Sequence, residues 1–205
     1  QMSYLKLKPN GRHRPTTILA TAIVATLLLT FFLPNGRDAA ASPVQDTTVR
    51  CDPQTAVGQI GQPLAIDFYV EDVIDLYGAD VRLSFDATKM QVIDTNPDAT
   101  GIQIEPLDTF LSPDFVVRQI ADNTEGTIWY AVTQVNPSVE VSGSGPLARF
   151  TLQPLEEGTY TLPFTYQKIV KRTGVQIPAT SVDCTVTFIE GTSNLITFLP
   201  MIIAK

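Results

Sequence analysis

Two stretches of this 205-residue chain restrict its fold more than any others. Asp80-Val81-Arg82-Leu83-Ser84-Phe85-Asp86, followed by Met90-Gln91-Val92-Ile93, alternates polar and apolar side chains. So do Gly143-Ser144-Gly145-Pro146-Leu147-Ala148-Arg149-Phe150-Thr151-Leu152 and the later Glu157-Gly158-Thr159-Tyr160-Thr161-Leu162. Each run closes on turn-forming residues. A repeat of two places every second side chain on one side of an extended backbone, as in strands with one face in a core.

The same reading along the chain gives nine strands. The first holds Val49 and Cys51. The second (64–71) turns Leu64, Ile66, Phe68 and Val70 to one side. The third (79–85) turns Val81, Leu83 and Phe85 inward and Asp80, Arg82 and Ser84 outward. The fourth is 90–94, the fifth 115–120 and the sixth 127–134, with Ile128, Tyr130 and Val132 opposite Trp129, Ala131 and Thr133. The seventh buries Ala148, Phe150 and Leu152. The eighth buries Tyr160, Leu162, Phe164 and Tyr166, and the ninth Val182, Cys184, Val186 and Phe188. Residues 96–113 and 136–145 read as loops. Pro163 implies an edge or a bulge, since proline gives the ladder no N–H. Strands of this length with frequent turns predict an all-β sandwich preceded by a signal helix, with one core within 47–190.

The ends read differently. Lys6, Lys8, Arg12 and Arg14 precede an apolar run over 16–33, then Pro34-Asn35-Gly36 and Ala39-Ala40-Ala41. That order is an export signal over 1–41, and the helix breaker and alanine triplet favour cleavage over an uncleaved anchor. Residues 42–46 are a linker, and the chain is expected outside the cytoplasm or at the cell surface, meeting the membrane only during export. The last segment (191–205) is a linker and an apolar tail too short to span a bilayer. It reads either as a sorting tail or as one more strand packed on the domain.

Residues 42–205 carry nine basic and twenty acidic side chains, a balance of −11. Such a surface repels phosphate backbones, so no nucleic-acid partner is expected. The one histidine, His13, lies in the signal, which removes Ser-His-Asp and Cys-His mechanisms and the common zinc sites from the mature part. Asp67, Glu71, Asp72 and Asp75 invite a calcium reading, but Asp67 and Glu71 alternate with core residues and no Asp-x-Asp-x-Asp-Gly loop occurs. Glu156-Glu157 reads as a solvated pair before a turn glycine. No cofactor and no enzyme activity are expected. Cys51 and Cys184 both point inward, and an even pair in an exported chain is generally bonded.

Three segments resemble the cohesin family: Gly78 to Asp86, Gly145 to Leu152, and Gln176-Ile177-Pro178-Ala179-Thr180. The resemblance implies a nine-stranded jelly roll whose third, fifth, sixth and eighth strands make a flat face for a helical dockerin module. It also implies that the first and last strands lie side by side, so that Cys51 and Cys184 form a disulfide. Asp80 matches the family's third-strand aspartate, which hydrogen-bonds the dockerin. Gly78 replaces the usual asparagine, and Gln134 stands where an acidic residue is expected. No dockerin-like calcium repeat is present, so this chain would receive a partner.

The expected partner-binding residues are Asp80, Arg82, Ser84, Trp129, Ala131, Thr133 and Gln134. Trp129 reads as a hot spot for a protein, as a stacking platform for a polysaccharide with Tyr69 and Tyr77 as further aromatics, or as satellite core under loop 96–113. The leading reading is a secreted, non-catalytic module that binds a dockerin-like protein. The alternatives are a carbohydrate-binding module and a structural protein of the cell surface.

Overall fold

The alternation builds strands throughout the computed structural model, which describes residues 46–191. The expected signal and the tail beyond 191 lie outside the described residues. In chain order the strands are β1 (Thr48–Asp52), β2 (Thr55–Gln59), β3 (Leu64–Leu76), β4 (Gly78–Ser84), β5 (Met90–Val92), β6 (Ile102–Gln103), β7 (Glu105–Pro106) and β8 (Phe115–Asp122). There follow β9 (Thr127–Thr133), β10 (Val141–Pro154), β11 (Gly158–Leu162), β12 (Phe164–Val170), β13 (Gln176–Ile177), β14 (Thr180–Ser181) and β15 (Cys184–Ile189).

They form three sheets. The front sheet runs β13-β12-β4-β9-β8-β6, and the back sheet β14-β1-β3-β10-β5 with β7 also against β10. A small sheet runs β11-β15-β2. Between front and back lies one apolar core in which Val81, Leu83, Ile128 and Val132 meet Ile66, Phe68, Val70 and Phe150. The Phe68 ring touches Phe150 on its own sheet (centroids 5.1 Å apart) and Phe164 on the opposite one (5.9 Å). The layers are therefore packed face to face, as a sandwich. Cys51 of β1 is bonded to Cys184 of β15, with Cα atoms 5.7 Å apart, which ties the back sheet to the small one.

The inner faces match the sequence reading closely, but the chain is cut more finely than nine strands. Pro163 divides the expected eighth strand where the chain passes from the small sheet to the front sheet. Just beyond, Phe164 faces Leu83 while Tyr166 faces Arg82, so one extra residue is accommodated in β12. The bulge inverts the alternation. Tyr166, expected inside, is 41% exposed, and Ile169 takes the core position instead. Val182, also expected inside, is 37% exposed, because it falls in the bend between β14 and β15. The expected loop 136–145 ends early: Val141 to Gly145 already pairs with β3 through register shifts. Gly145 is needed there because a Cβ would run into the Phe110 ring. β2 was missed because only Ala56 and Gly58 of its five residues are buried.

The β8–β9 turn depends on Gly126. Its φ is +66°, its N–H donates to the Asp122 carbonyl, and its own carbonyl accepts from Phe85 N–H. A Cβ there would collide with the Phe85 carbonyl oxygen. Gly126→Ala is expected to cost more than about 1 kcal/mol in urea unfolding, since both the left-handed backbone and the close approach oppose a side chain. An unchanged midpoint would show that the turn relaxes freely.

Candidate functional site

The outward face of the front sheet is assembled from β12, β4, β9 and β8, the four strands expected to form it. Register decides what meets on it. Asp80 lies between Lys168 and Ala131, and Arg82 between Tyr166 and Trp129. Across β9, Ala131 faces Arg118 and Trp129 faces Ile120.

Trp129 organises the centre. Its indole N–H donates to Asp80 Oδ1 at 2.9 Å. The Arg82 guanidinium lies over the indole ring, 4.0 Å from its centroid, and also against Tyr166 at 4.7 Å. Arg118 approaches the same indole from β8 at 5.3 Å. Cations attract the negative face of an aromatic ring, so the stack holds two guanidinium groups close together. Arg82 also donates to Asp80 Oδ1 (3.4 Å) and Oδ2 (3.3 Å). Asp80, cast by the resemblance as an acceptor for a partner, is thus already engaged within the chain.

Beside this stack, Gly78 and Ala131 floor a shallow depression rimmed by Asp80, Val117, Thr133 and Lys168. Gly78 sits close against its neighbours: a Cβ there would lie 3.1 Å from the Val132 carbonyl oxygen and 3.2 Å from the Thr133 hydroxyl. Ala131, expected to face outward, is only 6% exposed, because its short side chain sits between the longer Asp80 and Arg118. Thr133 closes one end, its hydroxyl donating to the Gln134 carbonyl at 3.1 Å. Ser84 lies at the opposite end of β4, facing Thr127. Gln134 does not reach the face: it is 4% exposed, just past the end of β9. Its N–H is tied to the Tyr77 carbonyl.

Four residues of the face escaped the sequence reading. In β8, Val116 faces Val132 but Arg118 faces Ala131, so Val117 is an extra residue and both Val117 and Arg118 point out. Phe115 and Val117 are 58% and 52% exposed and form an apolar shoulder beside the cationic stack. Tyr166 joins it through the β12 bulge. The unalternating run Phe115-Val116-Val117-Arg118 was the one available signal for the β8 irregularity.

Tyr69, expected as a second aromatic beside Trp129, belongs to the back sheet, where Arg50 lies over its ring at 4.4 Å. Trp129 is therefore not a bare platform; arginines from the flanking strands lie on it. The carboxylates considered for calcium are paired elsewhere: Asp67 with Arg149 (2.7 Å), Glu71 with Arg50 (3.0 Å) and Asp75 with Lys171 (2.8 Å). Among the described residues no group of three or more acidic, cysteine or histidine side chains is placed to hold a metal.

At the ends of β8 two further carboxylates are held below the usual range. Asp122 accepts from the backbone N–H groups of Glu125 and Thr124, and Asp114 from the Ser138 hydroxyl and the Val135 N–H. Both serve turns.

No family model and no curated protein sequence matches the chain. Solved structures do, cohesins among them. The seventh ScaB type I cohesin of Pseudobacteroides cellulosolvens is 16% identical, with 72% of this chain and 95% of that one covered and a TM-score of 0.57. The cohesin–dockerin complex of OlpA and Doc918 from Clostridium thermocellum gives 10% identity, coverage of 71% and 100%, and a TM-score of 0.58. A non-cellulosomal cohesin from the archaeon Archaeoglobus fulgidus gives 14%, 71% and 93%, with a TM-score of 0.53. The fold of residues 46–191 is the cohesin fold.

Proposed function

We propose that this chain, built on the cohesin fold, is an exported, non-catalytic module that seats a helical, dockerin-like protein on the outward face of its front sheet. The observation that carries the reading is the apolar shoulder of Phe115 and Val117 beside the Arg82–Trp129–Tyr166 stack. Exposed aromatic and aliphatic side chains next to ordered arginines are what protein hot spots are made of. The cohesin fold supports it further, because several cohesins of this shape are known in complex with dockerins. The Cys51–Cys184 bond suits an oxidising compartment and so agrees with export.

A polysaccharide partner is less well served. A sugar ring stacks on an open aromatic face, and Arg82 already occupies the face of Trp129. Tyr166, the other aromatic on this face, also has the Arg82 guanidinium against its ring.

The test is Val117→Asp, which places a charge on the shoulder without touching the core. It is expected to leave the unfolding midpoint unchanged. It is also expected to weaken capture of the cognate protein from the organism's secreted fraction by at least about tenfold, the effect of an uncompensated charge in a desolvated contact. Equal recovery by both proteins would place the contact elsewhere.

A further inference from the structure

We propose that the partner seated on this face presents carboxylates flanking an apolar ridge. The inference rests on the reading that the face binds a protein and adds the chemistry of what it selects.

The charge on the face opposes that of the rest of the molecule. Residues 42–205 balance to −11, yet the centre of this face gathers Arg82, Arg118 and Lys168, three of their nine cations, around the single carboxylate of Asp80. That carboxylate is taken up by the Trp129 indole and by Arg82. Arg118 and Lys168 make no ion pair among the described residues, whereas Arg50, Lys89, Arg149 and Lys171 all do. The nearby acids, Asp114 and Asp122, are consumed by turn N–H groups at the two ends of β8. Two uncompensated cations therefore stand at either side of the depression floored by Gly78 and Ala131.

Charge of one sign focused on a surface of the other steers an oppositely charged partner and rejects the rest by repulsion. The apolar shoulder supplies the contact area, and the cations decide which apolar ridge is accepted. A basic ridge meets Arg118 and Lys168 as like charges. An acidic ridge gives them the ion pairs they lack, and the remaining acidic surface of the chain discourages that ridge from settling elsewhere. An anionic polysaccharide would satisfy the cations but not the Phe115–Val117 shoulder, so the observations favour a protein.

The experiment uses the full chain and two synthetic amphipathic helical peptides with the same Leu/Ile/Phe stripe, one flanked by Glu and one by Lys. Dissociation constants are measured at low and at physiological salt, with polygalacturonate as a third probe and sedimentation velocity on the chain alone. The Glu-flanked peptide is expected to bind at least about tenfold tighter than the Lys-flanked one at low salt. Its advantage should shrink as salt rises and reverse in Arg118→Glu/Lys168→Glu, both exposed positions where folding is not at stake. Equal binding, preference for the Lys-flanked peptide, or no binding of the Glu-flanked one overturns the proposal. So does polygalacturonate binding in place of the Glu-flanked peptide, or self-association of the chain that Arg118→Glu/Lys168→Glu abolishes. Failure of the broader reading is separable. If Val117→Asp abolishes capture of a secreted protein while the charge reversal leaves that capture intact, the face binds protein without this selectivity; if neither variant changes capture, both ideas fall.

Discussion

Cys51→Ala/Cys184→Ala is expected to lower the stability of the folded domain by about 5 kcal/mol. The bond closes a loop of 133 residues, and cross-linking residues this far apart removes a large part of the unfolded chain's freedom. Both cysteines are fully buried, and each sits on a strand with few alternative anchors: β1 is five residues long, and β15 is held by β11 and the short β2. For a domain of this size the change amounts to a fall in melting temperature of roughly 10–20 °C. Urea unfolding of the native and doubly substituted chains measures it. A difference below about 1 kcal/mol would mean that the unfolded chain remains compact and that strand pairing alone fixes the closure.

Phe150→Ala is expected to cost about 3–5 kcal/mol. The Phe150 side chain is wholly buried and tilted against Phe68, which in turn touches Phe164 of the opposite sheet. Truncation empties the middle of the contact that joins the two layers, and the neighbours are strands that cannot collapse into the space without losing register. The effect should not add simply to loss of the disulfide. Cys51 faces Phe68 across β1 and β3, so the two changes share a neighbour and are expected to couple. A cost for Phe150→Ala near 1 kcal/mol, or strict additivity in the combined variant, would contradict this picture of a single jointly packed core.

The inner faces could be read from the chain because alternation is a local signal. Val81 and Leu83, Ile128 and Tyr130, and Phe150 and Leu152 all point where period two puts them. The set of strands making the front face followed from the resemblance, and register then brought Asp80, Arg82 and Trp129 together. What failed did so where one inserted residue inverts the pattern. The bulge before Tyr166 moved an expected core residue onto the face, and the one at Val117 placed two consecutive side chains outward. Pro163, read as an edge or a bulge, announces the first without fixing which residue it displaces, whereas the one at Val117 has no glycine or proline beside it and is set by how neighbouring strands close their ladders. The arginines on Trp129 were likewise hidden, since cross-strand partners depend on a register that the sequence does not state. Gln134 was placed on the face by the family resemblance, although alternation sets it on the side of Ile128, Tyr130 and Val132; just past the end of β9 it is buried, as the alternation implies.

Amide hydrogen exchange of the chain alone and bound to its captured partner tests the location of the site most directly. Slowed exchange is expected in Gly78–Ser84, Phe115–Asp122, Thr127–Thr133 and Phe164–Val170, with Thr48–Asp52 and Leu64–Leu76 unaffected. Protection confined to the back sheet, with the Trp129 neighbourhood unchanged, would contradict the account.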